Sequence, residues 1–529
     1  MADDDAGAAA AEVIAGFGVG GRRLRLLVAL LTERPHTLAQ LVQDTAVPRR
    51  TVEILLRAIG PDLAETTDGF AIRADRVPSY RDRFDTDRVR EPIAEPPAAL
   101  VAALGHDIAA APAAREDLDH VSATADTAAR RAVWLDGTFD LTGAHVLCVG
   151  DHDLTSLALG AVRHDVEITV VDLDERLLDF IDRTAAERGY RVRCEYADLR
   201  FGLPDAARDW ADLVFTDPPY TPEGVQLFLG RGLQGMRDRA NGRLVMAYGF
   251  SPLHPALGVK VQRSVYDLDL AVEAILPAFN RYHDAQAVGS ASDLYVCRPT
   301  ARTWQVVERQ VAKADVQIYT HGAQSLEGAT RLLDDDTADA VRRFATEPSL
   351  YIGDGWPDAG HAVPLGTVFS SGVPARRGPV RAAVNLVDDP GPWLLRVLLA
   401  VNADRMAVLV PNNHPDLANE VAQRALSELV AAKYTLRLRR STPSSRTAVV
   451  EAVAAEPTSD PTVRRLLTRA HGRIGNLWRE SLISESGRAL TKNEARTRIA
   501  AAVPRQAWLD DRLIDLPRHA IRELLAVLP

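Results

Sequence analysis

Cysteine is nearly absent: Cys148, Cys194 and Cys297 are the only three in 529 residues. They are odd in number and far apart, which argues against a disulfide framework and a thiolate metal site. Cys148 lies inside the apolar run Ala144 to Val149 and reads as a small core residue. A positive charge balance is also missing. The formal net charge is −10, which speaks against a nucleic-acid surface and for solubility or cationic partners. No apolar run approaches the ~20 residues of a membrane span. The start, Met1-Ala2-Asp3-Asp4-Asp5, is acidic where a signal peptide would be basic, so a cytoplasmic, reducing location is expected. Neither a His cluster at metal-ligand spacing nor a convincing internal repeat stands out, and no metal is expected. What remains is ordinary globular composition, 47% hydrophobic and 25% charged, with length for about three to four domains.

Against that background one stretch is unusual. Ala211 to Phe215 is apolar and leads directly into Thr216-Asp217-Pro218-Pro219-Tyr220. Two prolines cannot donate backbone hydrogen bonds and fix φ near −65°, so the chain leaves the strand as a stiff turn. That turn holds a carboxylate and an aromatic face at the carboxyl end of a strand, where open α/β sheets bind ligands. Enzymes that alkylate an amino nitrogen from a sulfonium donor use such a turn.

The chain around it alternates strand and helix over residues 141–300, the mark of a parallel sheet. Strands are expected at Ala144 to Val149, Glu167 to Asp172, Arg191 to Tyr196, Asp212 to Thr216, Gly242 to Ala247 and Asp293 to Val296. Before it, residues 11–76 read as a winged helix-turn-helix with a hairpin tip at Asp68-Gly69. A dimerisation or packing role fits that module better than DNA binding. Residues 77–140 read as a polar linker, broken at Pro92, Pro96 and Pro97, followed by Ala-rich helices. After the sheet, residues 301–457 suggest a second, smaller α/β domain, and residues 458–529 a helical region.

The first strand ends in Gly150-Asp151-His152-Asp153. Glycine permits a tight turn and close approach of a ligand, while two acids suit a positively charged ligand better than a pyrophosphate. The second strand ends at Asp172, about 20 residues on, the position that binds ribose hydroxyls in nucleotide-binding α/β folds. Asp174 is the better helix cap. Asp198, after the third strand, is placed to accept the adenine amino group. Together these describe a Rossmann-like, class I methyltransferase-type nucleoside site.

Several motifs in order carry a resemblance: Gly150-Asp151-x-Asp153-Leu154-x-Ser156, Val171-Asp172-x-Asp174-x-Arg176-Leu177-Leu178, Phe215 to Pro222 with Gly224, Leu227-Phe228-Leu229-x-Arg231-Gly232, and Gly289-Ser290-x-Ser292-Asp293-Leu294-Tyr295. Over roughly residues 15–300 the chain resembles the branched-chain polyamine synthases, which are aminopropyltransferases that form bis(aminopropyl)spermidine. The resemblance implies decarboxylated S-adenosylmethionine as co-substrate, a spermidine-like acceptor, methylthioadenosine as product and a homodimer. It places Gly150, Asp172, Asp174, Asp198 and Pro218 at the donor, and Pro219, Glu223 and Asp293 at the acceptor. Donor and acceptor are both cations, so their approach requires fixed negative charge. The expected roles are orientation of the amine by Asp217, proton acceptance by Asp151 or Asp153, and packing or a cation–π contact by Tyr220. His152 interrupts an acidic run typical of that family, and everything after residue 300 is an extension. Two other readings compete: an N-methyltransferase using intact S-adenosylmethionine, and a DNA-binding regulator that senses a polyamine or nucleoside.

Overall fold

The structure is a computed structural model that describes residues 7–89, 95–251, 253–283, 291–313, 317–320, 332–357, 361–373, 378–456, 460–487 and 489–528. The acidic start, Pro92 and Gly289-Ser290 lie outside the described residues.

At the amino end, helices Ala8–Ala15, Arg22–Glu33, Leu38–Thr45 and Arg49–Ile59 precede a two-stranded hairpin, β1 (Leu63–Thr66) and β2 (Gly69–Ile72). Thr37 and Gln40 form a reciprocal capping box at the start of the third helix. The register pairs Thr66 with Gly69, so the two-residue turn is Thr67-Asp68, one residue earlier than expected. Gly69 is needed for another reason. Its φ is +121°, and a Cβ there would lie 2.2 Å from the His36 carbonyl oxygen. The expected linker after this unit is also corrected: Val77–Phe84 is a helix whose Tyr80 and Phe84 are buried in the amino-terminal core.

The central sheet has seven strands: β3 (His145–Val149), β4 (Glu167–Asp172), β5 (Val192–Tyr196), β6 (Leu213–Thr216), β7 (Arg243–Tyr248), β8 (Leu270–Arg281) and β9 (Ala291–Pro299). Their order is β5-β4-β3-β6-β7-β9-β8, parallel except for β9, which runs antiparallel to both β7 and β8. This is the class I methyltransferase arrangement. The parallel strands are covered on both faces, so they read as continuous apolar runs. The sequence reading missed β8. Pro277 interrupts it, and it sits at the sheet edge, where a register shift between Leu276 and Asn280 accommodates the proline.

A second sheet follows: β10 (Leu350–Ile352), β11 (Arg381–Asn385), β12 (Arg405–Pro411), β13 (Tyr434–Arg439) and β14 (Thr447–Ala454). Its order, β10-β11-β12-β14-β13, is parallel over the first three strands and antiparallel beyond. Order and direction repeat the β3-β6-β7-β9-β8 half of the first sheet, with Gly353 (φ +81°) after β10 where Gly150 (φ +72°) follows β3. The repeat is invisible in the sequence because any short apolar run satisfies a strand buried on both faces, whichever residues compose it.

The second sheet and the helices after it pack on the first through buried ion pairs and hydrogen bonds between charged and polar side chains. Arg396, fully buried, stacks 3.8 Å above the Tyr196 ring and donates to Glu175 at 2.7 Å. His519 pairs with Asp182 at 2.9 Å, and Arg193 with Asp511 at 2.6 Å.

Candidate active site

At the carboxyl ends of β3, β4 and β6 the chain encloses a cavity of about 610 Å³. Gly150 begins its floor in a left-handed backbone, and a Cβ there would meet the Phe228 ring at 3.3 Å. Asp172 lies beside it. Its two oxygens accept the amides of Asp151 (3.1 Å) and Asp174 (2.8 Å), which fixes the carboxylate at the cavity wall.

Asp151 lines the cavity, but its oxygens take the amides of Thr155 (2.8 Å) and Ser156 (3.1 Å) at the start of helix Thr155–Val162. Burial pushes its carboxyl up to about 7 against those two hydrogen bonds.

The sequence reading missed the centre of the site, Arg131. It comes from helix Ala125–Thr138, inside the segment read as linker and Ala-rich helices. Fully buried, it donates to Asp153 at 2.7 Å, to Asp217 at 2.8 Å and to Asn280 at 2.7 Å. Burial works against its charge, yet Asp153, Tyr282 and Asp217 outweigh that and hold its pKa above the ordinary value. A site expected to be rich in fixed negative charge therefore also contains a fixed cation. The signal was present in the sequence. Ala128, Ala132 and Leu135 share one helix face with Arg131, and an arginine on such a face needs buried partners.

Arg131 sets its two carboxylates apart. Asp153 is saturated, taking Arg131 on one oxygen and the Ala123 amide at 2.8 Å on the other, and its pKa is lowered because Arg131 overcomes burial. Asp217 keeps 17% side-chain exposure against 6% for Asp153. Burial, opposed by Arg131 and reinforced by Asp153, raises its carboxyl to about 7. Two acids sharing one guanidinium thus have opposite shifts; both line the cavity, and the more exposed of the two is the one raised toward neutral pH.

Tyr282, also missed, donates to Asp217 at 2.7 Å and touches the Tyr220 hydroxyl at 3.1 Å and the Ser292 hydroxyl at 2.8 Å. Tyr220 lines the cavity with Pro218 and Pro219. Over the far side, Tyr319 and Thr320 close the wall, with Thr320 bonded to both oxygens of Asp119. The rings of His120 and His152 stack at 4.5 Å, and burial followed by the neighbouring His152 lowers His120 to about 3, so it is neutral.

Four expected site residues are not brought to the cavity. Asp174 caps helix Glu175–Arg188 and pairs with Arg176 at 2.6 Å. Asp198 pairs with Arg200 and accepts the Trp393 indole N–H at 3.0 Å. Asp293 accepts the Ala278 amide at 2.7 Å. Glu223 stands in the first turn of helix Pro222–Gly235, outside the lining.

Residues 106–338 match the branched-chain polyamine synthase A C-terminal domain. The matched segment contains Arg131, all of the central sheet and the wall residue Tyr319. The chain is 32% identical over 175 residues to an uncharacterized protein of Methanocaldococcus jannaschii, covering 33% of this chain and 44% of that one. It is 37% identical over 127 residues to the N(4)-bis(aminopropyl)spermidine synthase of Thermococcus kodakarensis, covering 24% and 36%. It is also similar to the branched-chain polyamine synthase of Thermus thermophilus, solved with N4-aminopropylspermidine and 5'-methylthioadenosine. That match is 21% identical with a TM-score of 0.36, over 62% of this chain and 99% of that one. The chain spans less than half the length of the two curated relatives. No helix among the described residues is long and apolar enough to cross a membrane.

Proposed function

We propose that this cavity transfers the aminopropyl group of decarboxylated S-adenosylmethionine to an amine nitrogen of a spermidine-like polyamine, releasing methylthioadenosine. The observation that carries the reading is the Arg131-divided pair, in which Asp217 is the raised acid and sits on the Pro-Pro turn beside the nucleoside wall, while Asp151, also raised, has its oxygens tied to the Thr155 and Ser156 amides. The amine lone pair attacks the methylene carbon next to the sulfonium, the C–S bond breaks, and sulfur leaves as a neutral thioether. The proton released by the amine passes to Asp217, which replaces Asp151 and Asp153 in the role first expected for them. Tyr282 holds Asp217 in place, and Tyr220 presents its ring to the alkyl chain. Asp172 is the ribose-binding carboxylate. Positioning supplies much of the rate in such a single displacement.

Donor class is tested by titration calorimetry with two products. 5'-Methylthioadenosine is expected to bind, and to bind more tightly than S-adenosylhomocysteine, whose carboxylate would face Asp151. The reverse order would assign the cavity to a methyltransferase. Asp172→Ala is expected to weaken methylthioadenosine binding by about 10-fold or more, the scale of a lost charged hydrogen bond. Unchanged affinity would remove Asp172 from the ribose site.

A further inference from the structure

The second sheet copies five strands of the first, but its own binding edge is filled. After β6 the chain turns through Asp217-Pro218 and opens on the cavity. After β11 it turns through Asp389-Pro390-Gly391-Pro392, and Asp389 accepts the amides of Gly391 (2.6 Å), Trp393 (3.0 Å) and Leu394 (2.8 Å). His414, fully buried, adds a hydrogen bond to the same carboxylate at 3.0 Å. The turn thereby ends in a buried tryptophan aimed at the first sheet.

Trp393 crosses between the two sheets. Its indole N–H donates to Asp198 at 3.0 Å, and its ring lies 5.4 Å from Phe201 and 6.3 Å from Phe369. Asp198 holds Arg200, whose guanidinium lies over the rings of Trp393 (5.2 Å) and Tyr319 (5.6 Å). Tyr319, Ala197 and Leu199 all line the cavity, and the Ala197 amide donates to the Asp172 carbonyl at 3.1 Å. The indole hydrogen bond from the second unit thus ends on Asp198, which stands between cavity-lining Ala197 and Leu199 and holds the arginine under cavity-lining Tyr319.

We infer that Trp393 is a positioning residue for the nucleoside end of the cavity, so that the second α/β unit is a working part of donor binding in this chain. The inference rests on the nucleoside-donor reading above. Asp198, expected to meet the adenine itself, acts here through the wall it anchors.

The test is calorimetric titration of the full chain with 5'-methylthioadenosine. Trp393→Phe keeps the ring and removes the donor. It is expected to weaken affinity about tenfold, on the scale of one hydrogen bond to a charged group, and to raise KM for the donor equally while kcat stays unchanged. Asp198→Asn, which loses the Arg200 ion pair, is expected to shift affinity in the same direction. Phe369→Leu trims the same aromatic cluster without touching that hydrogen bond, and is expected to lower the melting temperature but not the affinity. Unchanged affinity in Trp393→Phe, or an equal loss in Phe369→Leu, would overturn the inference and leave the donor reading standing. No binding by the unaltered chain would overturn both.

Discussion

Asp153 and Asp217 touch the same guanidinium and line the same cavity, but Asp217 is the more exposed. Asp153 has a protein donor on each oxygen and a lowered pKa, whereas Asp217 has a raised one. Asp217→Asn is therefore expected to retain the fold and donor affinity while kcat falls by about 10²–10⁴, the usual worth of a positioned base. The pH dependence follows from the same shift. A base works when deprotonated, so with Asp217 raised to about 7, kcat/KM should climb with pH through that region and level above it. A flat profile between pH 6 and 8, or an active Asn variant, would remove Asp217 as the base.

At the scale of elements, helix Ala125–Thr138 matters for one side chain. Arg131→Met leaves Asp153 buried without its cation, and losing one partner of a buried pair costs about 3–5 kcal/mol. Urea unfolding should show that loss, and a fall in unfolding free energy under a quarter of it would mean the pair is better solvated than its burial indicates. The contrast with the strands shows what a sequence displays. Buried parallel strands such as β4 and β6 are continuous apolar runs that end at Asp172 and Asp217, so the sheet and those two carboxylates were legible. The helix face of Arg131 was legible too, but its role was not, because its partners Asp153, Asp217 and Asn280 lie 22, 86 and 149 residues away. Tyr282 follows β8, an edge strand masked by Pro277, and was missed with it. Asp198 lies at the end of the expected strand, but the tryptophan that takes its carboxylate is 195 residues distant.

Over the whole molecule, the contact between the first sheet and the carboxyl-terminal helices is expected to respond to pH. Glu195 is fully buried beside Asp511 and Arg193; burial, followed by the Asp511 charge and opposed by Arg193, raises it from 4.5 to about 8. The folded chain keeps a proton that the unfolded chain releases above pH 4.5, so stability should be lost as pH rises from there through about 8. Thermal melting at pH 6 and pH 8 measures this, and Glu195→Gln should flatten the difference. An equal or larger difference in that variant would place the response elsewhere. If docking of the second unit shapes the nucleoside wall through Trp393, that stability also bears on the chemistry. The most direct measurement of that chemistry is mass spectrometry of the full chain incubated with spermidine and each donor in turn. Decarboxylated S-adenosylmethionine is expected to give methylthioadenosine and a spermidine heavier by one or two aminopropyl groups, with no reaction from the intact donor. S-adenosylhomocysteine and a methylated amine from the intact donor, or no product from either, would contradict aminopropyl transfer.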